Sequence, residues 1–471
     1  MKICPFLVFL VIITPAFAQS TRQSLVDAIT RLEADSQLQH AIIGLCVVNT
    51  KTGEPVYSHN AQVGLAPAST QKLFTSAAAF DLLGHDFTYK TSLQFLQTSI
   101  KDGQPEGLLV VNGSGDPTLG SWRYASTQRE AVLSAWARAI KDFSAHKHLT
   151  GILADDNNPG DRLSVPVGYI WEDMGNYYGA GTTIINWNEN QYDVVFKSET
   201  TGKPAVIVTI SPVQAQVKFH NEITAGEEGS GDNAFIFCAP FSTDAYIKGT
   251  IPPGKTTFSI SGSMPDPAWS LEYDLQHRLL NDGIQIDSFL STTSAYKGSG
   301  EWPASFNSIN NTAHYSPPLD SIVYWFLKKS INLYGEALAK TISKQSNGHY
   351  NLDSGVSIIR DFWSRHGIEK SAINIRDGSG LSPQNRVTTD ALVKVLHYAR
   401  TRPWFNAFYY ALPEFNGMKM KSGSISGARA FAGYHMSKEG KEYTYAIIIN
   451  NYNGSSSQVV KKLYAVLDKL K

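Results

Sequence analysis

The chain has 471 residues, 42% of them hydrophobic and 17% charged, and its formal net charge is zero. That length allows two or three domains with sizeable cores. The charge balance points away from nucleic-acid binding and from surfaces built for anionic membranes.

The first 18 residues read as a signal peptide. Lys2 supplies the positive end, Phe6 to Ile13 the apolar run, and Ala16-Phe17-Ala18 the cleavage site. The mature chain is then exported and starts at Gln19. No later stretch is long and apolar enough to span a bilayer. Of three cysteines, Cys4 leaves with the leader. Cys46 and Cys238 lie far apart in apolar strand-like runs and are expected to be buried free thiols. His146-Lys147-His148 is a lone pair in a polar segment with no partner at zinc spacing, so no metal or cofactor is expected.

Ser24 to Leu38 carries apolar residues at helical spacing. Ile42 to Val48 reads as a strand that turns through Lys51-Thr52-Gly53-Glu54 into a return strand at Pro55. Next comes Ala66-Pro67-Ala68-Ser69-Thr70-Gln71-Lys72, followed at once by an apolar run to Leu83. Pro67 favours a bend into a helix with Ser69 in its first turn, and a helix apolar almost all round is buried. From Thr91 short strand-like runs alternate with turns, interrupted by one helix from Gln128 to Ile140. The Gly-rich turn Asn112 to Leu119 is not a phosphate loop, because no Gly-Lys-Ser/Thr follows. Helices are expected at Ser270 to Asn281, Ser321 to Ser343, Ser354 to His366 and Asp390 to Ala399. Strands at 431–434 and 443–449 and a helix from Ser457 close the chain. The two ends are expected to form one α/β domain, with the β-rich middle inserted into it.

Residues three apart on a helix share a face, so Lys72 can reach the Ser69 hydroxyl. Burial disfavours the ammonium, which makes the pair a base beside a nucleophile. Alone, Ser-x-x-Lys is more often a cap and a solvated lysine. Two further patterns follow in order: Ser330-Ile331-Asn332, placed on the helix that begins at Ser321, and Lys421-Ser422-Gly423 before a strand-like segment. The ordered triple of Ser-x-x-Lys, Ser-x-Asn and Lys-[Thr/Ser]-Gly is the signature of penicillin-recognising serine enzymes. In that chemistry Ser69 attacks a carbonyl and Lys72 takes its proton. Ser330 relays the proton to the leaving amine, and Asn332 bonds the substrate amide. Lys421 and Ser422 hold a terminal carboxylate, and the N–H groups of Ser69 and of Ser424, the residue after Gly423, form the oxyanion hole.

At these residues the sequence resembles the D-alanyl-D-alanine carboxypeptidases/endopeptidases of the class C low-molecular-mass penicillin-binding proteins, over nearly the whole mature chain. Gly113 to Leu119 is similar to the family's GxGDPTL turn and Asp377 to Ser382 to its DGSGLS segment. Tyr178-Gly179-Ala180 with Asn188-Glu189-Asn190 resembles its YGA…NEN stretch. The long separation of Lys72 from Ser330 fits the family's inserted domains. Ser422 stands where Thr is common, and Ile331 where Asp is frequent.

The resemblance implies an α/β (α+β) fold, a penicillin-binding-protein/β-lactamase-like transpeptidase domain at 19–92 and 296–471. It further implies an inserted domain II at 93–156 and 262–295 and a domain III at 157–261, peripheral to the catalytic part. It implies peptidoglycan stem peptides as substrates, β-lactams as inhibitors and the periplasm as location. It also places Asp155, after a strand of the inserted region, at the substrate's diamino-acid side chain.

A Ser-His-Asp hydrolase is disfavoured because no Gly-x-Ser-x-Gly elbow occurs. A β-lactamase-like hydrolase and a non-catalytic penicillin-binding sensor remain as alternatives. An efficient class A lactamase needs a second carboxylate base. Between Asn332 and Lys421 the glutamates are Glu336, Glu369 and Glu414. Glu336 is expected to pack or pair locally, and the other two to be solvated loop residues.

Overall fold

The computed structural model describes residues 16–101, 104–143, 148–155, 164–287, 291–292 and 307–471. Residues 1–15 of the expected leader and the His146-Lys147 pair lie outside them. Helix α1 (Ala16–Glu33) runs through the expected cleavage junction.

One antiparallel sheet organises the two ends of the chain. Its long strands are β1 (Ile42–Asn49), β2 (Pro55–His59), β13 (Met418–Ile425), β14 (Ala428–Met436) and β15 (Glu442–Asn450), in the order β13-β14-β15-β1-β2. A two-residue strand, Glu414–Phe415, flanks β13. The opening hairpin therefore pairs with the closing strands, as the sequence pattern predicts: Cys46 sits opposite Ala446 and Ile43 opposite Ile449.

Both faces of this sheet are covered, which explains why its strands read as unbroken apolar runs. Successive side chains of a strand point to opposite faces. Cys46 and Val48 of β1, with Ala430, Ala432, Ala446 and Ile448, enter one core. Ile43, Leu45 and Val47, with Phe431, Tyr445 and Ile447, enter the other. The second core is closed by α1, through Leu25, Ile29 and Leu32, and by α10 (Ser456–Leu467), through Val459 and Leu463.

The first core surrounds α2 (Lys72–Leu83), whose residues from Lys72 to Phe80 are all buried. Over that stretch no face of the helix meets water, in keeping with its apolar sequence, and only its last turn, with Asp81, is exposed. Around it lie α5 (Leu319–Lys328), α6 (Asn332–Asn347), α7 (Leu352–Arg365), α8 (Thr389–Arg400) and α9 (Phe405–Ala411).

The single helix expected from Ser321 to Ser343 is two helices. Ser330, at the junction, has φ of +59°, and Ile331 is the extended N-cap of α6. A left-handed residue ends a helix, and here it lifts Ser330 out of the helical row. The 3.6 periodicity continues across the junction, so the pattern conceals the break. Helix α9 went unpredicted, because its seven residues are too few to show a period.

The inserted region has a core of its own, built entirely from residues between Leu93 and Ile284. Strands β3 (Lys90–Lys101), β4 (Gln104–Asn112), β5 (Gly151–Asp155) and β12 (Asn307–Tyr315) form one sheet, ordered β5-β4-β3-β12. The two-residue strand Ser291–Thr292 pairs with β5 at its edge. Helices α3 (Arg129–Phe143) and α4 (Pro267–Asn281) contribute Trp136, Ile140, Leu271 and Leu275 to this core.

Two three-stranded sheets complete the region. One contains β6 (Gln191–Lys197), β7 (Val206–Ser211) and β11 (Phe258–Ser263). The other contains β8 (Lys218–Ala225), β9 (Asn233–Phe237) and β10 (Asp244–Ile251). Cys46 and Cys238 are free and buried, one in each part of the molecule, and burial pushes their thiols up to about 12 and about 11.

Candidate active site

The nucleophile turn is strained and clamped. Ala68 has φ of +46°, unusual for a residue with a Cβ. Ser69 follows in a 3-10 turn, Ala68–Gln71, that runs directly into α2, so Lys72 opens the α-helix proper. The Thr70 N–H and hydroxyl both donate to the Pro67 carbonyl, at 3.2 and 2.7 Å. Two glycines press on the turn from outside. A Cβ on Gly380 would stand 2.0 Å from the Ala68 oxygen, and one on Gly423 would stand 2.4 Å from the Pro67 oxygen. Strain held by its surroundings in this way marks a site where position matters.

Lys72 is wholly buried. Its Nζ lies 2.8 Å from Ser69 Oγ, 2.7 Å from Asn332 Oδ1 and 2.7 Å from the Ser379 carbonyl. Burial pulls its pKa down to about 7, against the opposing pull of Asp377 and then Glu336. A neutral amine has two N–H groups and a lone pair. The Asn332 and Ser379 oxygens accept the two N–H bonds, which leaves the lone pair for the Ser69 hydroxyl.

Asn332 opens α6 and donates through Nδ2 to the Tyr178 carbonyl at 2.7 Å. Lys421, on β13, donates to Ser330 Oγ at 2.9 Å and to the Ser422 carbonyl at 2.8 Å. Burial first, and the Lys72 charge second, hold its pKa well below the ordinary lysine range. Gly423 brings β13 against the nucleophile turn, and its Cβ position is 3.1 Å from the Ser69 nitrogen. Ser424, the next residue along this strand, is exposed.

Five residues named from the sequence therefore come together as two neighbouring hydrogen-bonded groups, Ser69, Lys72 and Asn332 in one and Ser330 and Lys421 in the other, close enough that the Lys72 charge acts on Lys421. Ser422, Gly423 and Ser424 edge them. Asp155 does not join them. It ends β5, and its charge acts on Lys344 near the far end of α6. Lys344 is twelve residues beyond Asn332, about 18 Å along the helix at 1.5 Å per residue. The motif spacing that suggested Asp155 carries no information about which end of α6 the strand meets.

Other residues at the site have no role in the sequence reading. Ser379, inside the Asp377–Ser382 segment, acts through its backbone carbonyl, which no side-chain pattern reveals. Asp377 accepts from Gln71 Nε2, the Gly380 and Ser382 N–H groups and Asn385 Nδ2, at 2.7–3.0 Å, and so fixes the loop that presents that carbonyl. The inserted region contributes the Tyr178 carbonyl and Tyr169, whose hydroxyl donates to Glu336 at 3.0 Å. Glu369 and Glu414 are exposed, as expected.

A family model described as the D-Ala-D-Ala carboxypeptidase 3 (S13) family matches residues 25–414. The chain belongs to this family. It is an S13 serine-type D-Ala-D-Ala carboxypeptidase with a penicillin-binding-protein fold. A D-alanyl-D-alanine carboxypeptidase of Actinomadura sp. (strain R39) is 27% identical over 484 residues, covering 96% of this chain and 86% of that protein. The D-alanyl-D-alanine carboxypeptidase DacB of Haemophilus influenzae is 22% identical, covering 87% of this chain and 86% of that one. The crystal structure of penicillin binding protein 4 (dacB) from Haemophilus influenzae superposes with a TM-score of 0.74 at 19% identity, over 96% of this chain and 97% of that one. A second structure of that protein, complexed with a β-lactam, gives 0.69 over 94% and 97%. As an S13 member, the chain departs from the sequence expectation at Asp155, at the helix break at Ser330, and in how far the inserted region reaches toward the site.

Proposed function

We propose that this S13 enzyme cleaves the terminal D-Ala-D-Ala bond of peptidoglycan stem peptides, and cross-links of the same chemistry, through an acyl-enzyme on Ser69. The observation that carries this reading is the buried Lys72 amine 2.8 Å from Ser69 Oγ, with its two N–H groups engaged by carbonyl oxygens. Ser69 Oγ bonds to the carbonyl carbon as its proton passes to Lys72 Nζ. Collapse of the tetrahedral intermediate breaks the C–N bond, and Ser330 Oγ–H gives a proton to the departing amine. Lys421 Nζ, 2.9 Å from Ser330 Oγ, links that hydroxyl to the carboxylate-binding edge. The substrate's terminal carboxylate supplies the opposite charge that favours the Lys421 ammonium. The N–H groups of Ser69 and Ser424 stabilise the oxyanion. Water then releases the acyl group by the reverse proton path.

The signal-like N-terminus supports action in the periplasm. Among the described residues no helix is long and apolar enough to cross a membrane. β-Lactams, one of which occupies the Haemophilus structure, would acylate the same serine. The test is mass analysis of purified muropeptides after incubation with the enzyme. Loss of one D-alanine from a pentapeptide supports the reading, and conversion of cross-linked dimers to monomers supports the endopeptidase part. A protein that takes up penicillin on Ser69 yet releases no D-alanine is a sensor, and the reading fails.

A further inference from the structure

Glu336 lies one turn after Asn332 on α6, on the same helix face. It is wholly buried. Its Oε2 accepts from the Gly378 N–H at 2.8 Å, and its Oε1 accepts from the Tyr169 hydroxyl at 3.0 Å. That hydroxyl also lies 3.1 Å from Ser379 Oγ, and the Ser379 carbonyl is the one that accepts from Lys72. Ser379 thus meets the catalytic amine with its backbone carbonyl and Tyr169 with its side-chain hydroxyl, and Tyr169 in turn bonds a second carboxylate.

We propose that Glu336 acts through Lys72: its carboxylate, held behind the Ser379 carbonyl, is the adjustable counter-charge that sets how readily Lys72 takes the Ser69 proton. This makes Glu336 a positioning residue for acylation, and the inference rests on the Ser69/Lys72 reading.

The charged and titratable groups around Lys72 and Glu336 come from several elements. Asp377 lies in the 377–382 loop, Lys421 on β13, and Tyr169 in the inserted segment. Lys340, one turn further along α6, donates to the Thr182 carbonyl at 2.8 Å. Burial raises the Asp377 carboxyl above its ordinary range, and donors at both of its oxygens oppose that rise. Glu336 is less well supplied. Burial, and then the Asp377 charge, raise it to about 7, where Lys72 also titrates. The two buried carboxylates repel each other and titrate together, and Glu336, with fewer donors, is the one pushed toward neutrality. When ionised it favours the ammonium that forms as Ser69 gives up its proton. When protonated it favours the free amine that starts the reaction.

No water or base role in deacylation follows from this geometry. Glu336 accepts from Gly378 and Tyr169, and its link to Lys72 runs by way of Ser379.

The experiment is the acylation rate of a chromogenic β-lactam against pH for wild type, Glu336→Gln and Tyr169→Phe. In Glu336→Gln the amide carbonyl can accept from Gly378 and the amide N–H can donate to Tyr169, so the packing is kept. The wild-type rate should rise as Lys72 deprotonates near neutrality. Loss of the negative charge disfavours the ammonium, so in Glu336→Gln this rise should move down by roughly one pH unit or more, with a lower plateau. Tyr169→Phe removes a donor to the carboxylate and raises the Glu336 pKa. Glu336 then stays neutral to higher pH, and the rise should move in the same direction.

An unmoved rise in folded Glu336→Gln, whatever its plateau, would show that Glu336 only pins the 377–382 loop and would overturn the proposal. Should Glu336→Gln not fold, an unmoved rise in Tyr169→Phe overturns it equally. A wild-type adduct that maps away from Ser69 refutes the underlying reading instead.

Discussion

At the scale of single residues, two lysines of the same type are set to different tasks by their neighbours. Lys72 has two carbonyl oxygens and a hydroxyl around it, whereas Lys421 has a hydroxyl and one carbonyl. Lys421 has room for one more acceptor, and a substrate carboxylate is the fitting one. Lys421→Ala should therefore slow acylation by carboxylate-bearing substrates by about 1.5–3 kcal/mol, the range for a hydrogen bond to a charged group. A substrate amidated at its C-terminus should lose little more. Equal losses for the two substrates, measured as kcat/KM, would contradict the role.

The side chains of this cluster were legible because each sits in a short motif with a chemical reason for its spacing. The Ser379 carbonyl was not, since a backbone acceptor leaves no mark in residue type. Glu336 reads on its helix as an ordinary packed residue. Its partners Tyr169 and Gly378 come from segments whose approach only the folded chain reveals.

At the scale of elements, the site depends on places where regular structure is interrupted or pressed close. The break at Ser330 turns one apolar helical row into two helices and aims a hydroxyl at Lys421. Periodicity could not show it, because the apolar spacing of α5 runs on past Ser330 and α6 is buried on every side from Asn332 to Ser343. The contact of β13 with the nucleophile turn depends on the bare backbone of Gly423.

Gly423→Ala would drive a methyl group to within 2.4 Å of the Pro67 oxygen unless the strand retreats. Overpacking of this kind costs about 1–3 kcal/mol. The strand edge that moves carries Ser422 and Ser424. Acylation should thus fall by about tenfold or more, while the thermal midpoint drops by only a few degrees. Wild-type acylation in Gly423→Ala would show that the close approach has no part in catalysis.

At the scale of the whole molecule, the sequence pattern assigned 296–471 to the catalytic part, yet β12 (Asn307–Tyr315) pairs with β3 in the inserted sheet. The ends share one sheet and two cores, and the region between them has its own. Alternating short runs announced that region, although β3, β10 and β12 went unread because their polar residues dilute the strand signal.

The expectation of purely peripheral lobes needs correction. The segment around 164–191 crosses to the catalytic part. Tyr178 bonds Asn332, Tyr169 bonds Glu336, and Thr182 accepts from Lys340. Arg123 pairs with Glu189, which also accepts from the Tyr334 hydroxyl at 2.7 Å. The inserted region is thus tied to the catalytic part through the 164–191 segment and Arg123.

The exposed loop Glu227–Asp232 lies between β8 and β9. Limited proteolysis with an enzyme that cuts after acidic residues should nick Glu227 or Glu228 first and leave penicillin binding intact. First cleavage within α2 would contradict this arrangement.

The central claim is that Ser69, activated by Lys72, is the acylated residue of a penicillin-sensitive peptidase. Its most direct measurement is the mass of the protein after brief exposure to excess benzylpenicillin, with peptide mapping of any adduct. The account predicts one penicilloyl group per chain, carried by the peptide containing Ser69 and absent from a folded Ser69→Ala variant. Release should be slow, because neither Glu369 nor Glu414 is buried at the site to serve a deacylating water. An adduct on another residue, or labelling that persists in Ser69→Ala, would contradict it.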